Sequence, residues 1–187
     1  CDWSSDVCSS DLFDSASIAY TNIDEAYVLI DAFGSDIYNA WRIGIYDKDE
    51  VSVRYLASKL NLHEWDIRLA IDDLTGTDDF GDLYFLIFKD DLFSACVMMV
   101  SKAYDLNGTV EEIGDYLDDA KISMKELSEK YSDYEHYPNL KKFYTRTNSF
   151  FEFCQNPSGS FEQVKTTIND YRNDIRTYKS DLDFIFD

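Results

Sequence analysis

From Val110 to Ile185 the apolar residues return every three or four positions, and this regularity restricts the fold more than any other feature of the chain. Val110, Ile113, Leu117, Ala120, Met124 and Leu127 lay one stripe along the side of a helix. Tyr131 and Tyr134 extend it, and Pro138 ends it. Leu140, Phe143, Thr147, Phe150 and Cys154 then resume the spacing. Asn156-Pro157-Ser158-Gly159 reads as a turn and Ser160 as a helix N-cap. Beyond it Phe161, Val164, Ile168, Tyr171, Ile175, Tyr178, Leu182 and Ile185 form a heptad seam. Short connections make consecutive helices antiparallel neighbours, so residues 109–187 are expected to form an antiparallel three-helix bundle. The same seam would also serve an intermolecular coiled coil, which leaves a homodimer through the heptad helices as an alternative.

Only 7 Gly and 2 Pro punctuate the 187 residues, too few for many short strands joined by tight turns, so the expectation is an all-α protein. The net charge of −20, from 37 Asp and Glu against 17 Lys and Arg, sets up a field that repels nucleic acid and anionic membranes and attracts basic protein surfaces. The longest apolar stretches, Leu83–Phe88 and Leu92–Val100, fall well short of the roughly 20 residues of a membrane span. No basic region followed by an apolar one opens the chain, and the expected location is cytoplasmic.

Residues Asp2 to Leu12 read DWSSDVCSSDL, which resembles the in-frame translation of a common short-read sequencing adapter. Residues 1–12 are therefore expected to be an artefact that replaces the natural start, and Cys1, Cys8 and Trp3 carry no chemistry. Cys96 and Cys154 remain, each inside an apolar segment (SACVMMV and FFEFC), and read as reduced core thiols.

Thr21 and Asn22 precede a predicted helix over 22–33 that Gly34 would close, and Ser35 would cap a second over 35–46. Next comes VRYLASKLNLHEWDIRLAID, Val53 to Asp72, with Leu56, Leu60, Leu62, Ile67 and Ala70 at apolar positions and the small Ala57 between them. Asn61 stands at the bend, where a left-handed backbone is needed and Asn tolerates it. Together with helix 35–46 this stretch resembles the trihelical core of the helix-turn-helix superfamily. The resemblance implies a DNA-binding regulator, with Arg54, Lys59 and Arg68 as the contacts to the duplex.

The charges oppose that implication. A reader helix presents Arg, Lys, Asn or Gln to base edges, whereas Glu64–Asp73 offers Glu64, Asp66, Asp72 and Asp73 against Arg68 alone. Aspartates 72, 73, 78, 79, 82, 90 and 91 then face a single Lys89, and residues 13–108 hold 18 acidic side chains against 7 basic ones. The leading expectation is thus the converse: a non-enzymatic acidic protein-interaction module whose partner has a basic surface. In its sharpest form it is a DNA mimic that inhibits a DNA-binding enzyme, in the manner of anti-restriction and anti-CRISPR proteins. Asp72, Asp73, Asp78, Asp79 and Asp82 would then stand in for phosphates, within an acidic partner-binding face that also takes in Glu64, Asp66, Asp90 and Asp91. Residues 83–100 read either as a short β-wing or as helices, and the absence of alternation over 95–104 favours helices. The break at Asn107-Gly108 divides an acidic domain over 13–108 from the bundle over 109–187.

Catalysis finds little to work with. His63 and His136 are far apart and outside any metal-binding spacing, and no phosphate-binding loop, nucleophile elbow or dinucleotide fingerprint occurs. The Asn156–Ser160 loop has no Lys or Arg, and no aspartate run places Gly sixth and Glu twelfth as a calcium loop requires. No enzyme activity, cofactor or metal is expected.

Overall fold

The computed structural model describes residues 4–47, 51–75, 92–131 and 133–186, with side-chain surroundings given for 11–43, 53–70, 96–131 and 133–186. These residues form seven α-helices and no strand: α1 (Ser4–Asp47), α2 (Val51–Leu60), α3 (Glu64–Thr75), α4 (Leu92–Leu106), α5 (Thr109–Lys130), α6 (Tyr137–Gln155) and α7 (Phe161–Phe186). The protein is all-α. Residues 92–100 are helical and not part of a wing, while 83–91 lie outside the described residues.

The helices expected over 22–33 and 35–46 are one continuous helix, and Gly34 does not cap it. Gly34 has no positive φ, and the Ser35 Oγ donates back to the Asp31 carbonyl at 2.8 Å instead of capping a new start. Burial explains the continuity. Ile30, Phe33, Ile37 and Ala40 are all fully buried and form one stripe across the glycine. A glycine inside a helix costs about 1 kcal/mol, whereas burying one large apolar side chain contributes about 1.5–3 kcal/mol.

The described chain gathers into two compact units, each assembled from separate segments. The helical break does fall at Asn107–Gly108, where Gly108 takes φ 82° and the Asn107 Oδ1 accepts from the Thr109 amide at 3.1 Å. The units themselves do not divide there.

One unit comprises Asp31–Glu111 and Glu152–Ile168. Helices α2, α3 and α4 pack on one another around Val53, Leu56, Ile67, Met99, Val100 and Ala103. Asn61 turns the chain between α2 and α3 at φ 54°, and the Leu62 amide closes α2 by donating to the Ala57 carbonyl at 2.9 Å. The C-terminal part of α1 joins this unit through a Phe33–Tyr104 ring stack at 4.4 Å. Tyr38 and Trp41 meet Phe161 at 4.8 and 4.9 Å. A capping box starts α7: the Gln163 Oε1 accepts from the Ser160 amide at 2.8 Å, and the Ser160 Oγ accepts from the Gln163 amide at 3.4 Å.

The other unit comprises Cys1–Ile30, Glu112–Phe151 and Asn169–Asp187. Its helices α5, α6 and the end of α7 lie where the heptads put them, but α1 joins them, so residues 109–187 are not a bundle closed on itself. The Tyr20 ring lies 5.9 Å from Phe143 and 5.0 Å from Phe186, its hydroxyl donates to Asp183, and Lys179 pairs with Asp24. Ile113, Leu117, Ala120, Met124 and Leu127 of α5, and Ile175 and Leu182 of α7, are buried within the single chain.

Candidate functional site

The most unusual chemistry of the described residues is at Asp36, a fully buried carboxylate on α1. Its Oδ1 accepts from the Tyr55 hydroxyl at 2.7 Å and pairs with Lys59, both on α2, while Oδ2 accepts from the Tyr104 hydroxyl of α4 at 2.8 Å. Asn39 adds a bond from its Nδ2 to the Tyr55 oxygen at 3.3 Å. A buried charge is tolerated only when it is paired and hydrogen-bonded, and here three donors from two helices converge on it. Burial, followed by the charge and hydrogen bond of Asp36, holds Tyr104 far above the usual tyrosine value. The same causes raise Tyr55. For Lys59 burial alone would lower the value, but the hydrogen bond and charge of Asp36 outweigh it and raise it. The carboxylate itself has no access to solvent, and the centre clamps α1, α2 and α4 together. Sequence reasoning missed it, since a lone aspartate between Ser35 and Ile37 carries no motif.

Around the α2–α3 hairpin, the cations of the DNA-reading alternative already have carboxylate partners. Arg54 lies 3.7 Å from Glu64, Arg68 lies 4.0 Å from the same Glu64, and Lys59 is held by Asp36. Of the carboxylates assigned to the acidic face, Glu64 is half-buried and engaged in those pairs, and Asp66 is exposed. Asp72 and Asp73 belong to α3. Asp78, Asp79, Asp82, Asp90 and Asp91 lie outside the described residues.

A second acidic face is fully described. Glu112, Asp115, Asp118 and Asp119 are all exposed on α5, on the side opposite its buried stripe. The signal was present in the sequence as carboxylates at positions i, i+3, i+6 and i+7 of a helix whose core positions were already assigned. At 1.5 Å rise per residue these four groups span about 10 Å, one every ~3.5 Å, against about 3.4 Å per phosphate along one DNA strand. The α3 surface is mixed, with Trp65 55% and Leu69 43% exposed one turn apart.

His63 is exposed at the bend, and His136 lies edge-on to Tyr134 with ring centroids 5.5 Å apart. Among the described residues no group of three or more His, Cys, Asp or Glu could hold a metal ion. Cys96 and Cys154 are buried and in no disulfide, and burial pushes the Cys96 thiol up to about 12. Both are core thiols, as the sequence indicated. No helix of the described residues is long and apolar enough to cross a membrane. The chain matches no protein-family model, no curated protein and no solved structure.

Proposed function

We propose that this chain is a non-enzymatic, acidic protein-interaction module that binds a protein with a basic surface, and that it does so as a mimic of the DNA backbone. The observation that carries the reading is the engagement of Arg54, Lys59 and Arg68 by Glu64 and Asp36. Lys59 is held by the buried Asp36 and the two arginines share Glu64, so a duplex would compete with these carboxylates for the cations. The four carboxylates of α5 supply an axial charge density close to that of a single DNA strand, and the Asp-rich segment of 72–91 adds to the field. Trp65 and Leu69 suit a protein partner, because aromatic anchors dominate such interfaces. The partner's DNA-binding cleft is the matching surface, and the cytoplasm is where such an inhibitor acts. A homodimer would use faces other than the heptad seam, whose members are largely buried within one chain.

A mobility-shift titration with a labelled duplex tests the choice against the regulator alternative. The chain should leave the duplex unshifted. A sequence-selective shift abolished by Arg68→Ala would establish the regulator instead. Affinity for a captured basic partner should fall steeply between low and moderate salt, and indifference to salt would rule out the electrostatic mechanism.

A further inference from the structure

Within the unit that contains α6 and the end of α7, a cavity of about 450 Å³ opens to solvent beside a concentration of positive charge. Lys141, Lys142 and Arg146 line it, with the hydroxyl-bearing Thr145, Ser149 and Tyr178. We propose that this cleft binds a small phosphorylated organic molecule, a site independent of the acidic interaction faces.

The charge is concentrated, since three of the 17 basic residues line this one cleft. Acidic residues outnumber basic ones 37 to 17 in this chain, and many described cations, Arg146 among them, pair with a carboxylate. Lys141 and Lys142 have no ion-pair partner among the described residues, although both are exposed. Lys142 and Arg146 are a like-charge pair one turn apart, an arrangement that disfavours the helix by a few tenths of a kcal/mol.

Arg146 is held ready. Its guanidinium lies 4.0 Å from the centre of the Tyr171 ring, and one Nη donates to Asp174 at 2.7 Å. Its Nε is buried with no hydrogen-bond partner. A planar fork fixed by stacking and one ion pair loses little freedom when it takes up an oxyanion. Two flexible ammonium groups beside it supply point charges, and the hydroxyls supply further donors.

Lys141 and Lys142, with an Arg146 that shares its charge with Asp174, match a phosphate monoester, which carries about −1.5 to −2 at neutral pH, better than a single carboxylate. The volume lies within the roughly 300–1,000 Å³ of small-molecule sites, and Pro138 with the Tyr178 ring offers apolar wall. The ligand therefore has an organic body as well as a phosphate. The net negative charge of the chain does not forbid this, because at physiological ionic strength charges beyond about 8 Å are largely screened.

Calorimetric titration of the full chain with phenyl phosphate, inorganic phosphate and benzyl alcohol tests the proposal. Phenyl phosphate should bind saturably at one site, more tightly than inorganic phosphate, and benzyl alcohol should not bind. The double variant Lys141→Ala, Lys142→Ala should weaken phenyl phosphate by roughly tenfold or more. Lys121→Ala, on exposed α5 and outside the cleft, should leave it unchanged. Unchanged circular dichroism of the exposed-lysine variants ties any loss to the site. Three results would overturn the proposal: no saturable binding at millimolar phenyl phosphate, equal weakening by Lys121→Ala, or inorganic phosphate binding as tightly as phenyl phosphate.

Discussion

The Tyr104 hydroxyl donates to the Asp36 Oδ2 at 2.8 Å, and both side chains are buried. The bond joins α4 to α1 across 68 residues of chain, and the other carboxylate oxygen holds α2 through Tyr55 and Lys59. Removing the acceptor should cost more than removing any one donor. Asp36→Ala leaves two phenols and an ammonium without their partner and should lose about 3–5 kcal/mol in denaturant unfolding. Tyr104→Phe, which removes one charge-assisted bond and little volume, should lose about 1.5–3 kcal/mol. The double variant should lose less than the sum of the two; a loss equal to the full sum would mean the residues do not act as one centre.

Alkaline pH should dismantle the same region in stages. Folding raises Cys96 from 9.0 to about 12, and raises Tyr55 and Tyr104 above 10.0. The stability these groups contribute is therefore fully present below their unfolded values. As pH rises the unfolded chain releases protons that the folded chain keeps, and stability falls. Between pH 9 and 10 the decline should come from Cys96, at about 1.4 kcal/mol per pH unit once its unfolded thiol ionises. The tyrosines steepen the fall above 10.0. Cys96→Ala should flatten the curve between pH 9 and 10 while keeping the steeper fall above it; an unchanged profile would contradict the assignment.

Asn61 at φ 54° offers a local check of the hairpin. Asn61→Gly should be neutral or stabilise slightly, because glycine adopts that backbone without a Cβ penalty. Asn61→Val should cost about 1–2 kcal/mol, since a β-branched residue resists the left-handed region. Thermal melts of the two variants should move apart, with valine lower.

Where the sequence was read correctly, the signal was local and periodic. The stripe of Ile113, Leu117 and Met124, the cap at Ser160 and the bend at Asn61 each depend on neighbours within about two turns. Gly34 misled because a glycine ends a helix only if tertiary burial does not carry the stripe past it, and Ile30, Phe33 and Ile37 do. The Asp36 centre was invisible for a related reason: its partners lie 19, 23 and 68 residues away. The α5 acidic face is legible from helical spacing alone, whereas the aspartates of 72–91 form the denser run.

Neutralising the α5 face should reduce electrostatic attraction without unfolding the helix, because Glu112, Asp115, Asp118 and Asp119 are exposed and opposite its core. The variant with Glu112→Gln and Asn at the three aspartates should keep its unfolding free energy within about 1 kcal/mol of the parent. A collapse in stability would make those carboxylates structural.

The most direct measurement follows the anisotropy of a fluorescent duplex held at low salt by a basic protein that binds DNA without sequence preference. Adding the chain should lower the anisotropy to that of free duplex, and the four-fold neutralised variant should need a clearly higher concentration to do so. A rise in anisotropy, which would mean that the chain itself binds the duplex, or equal displacement by parent and variant would contradict the account.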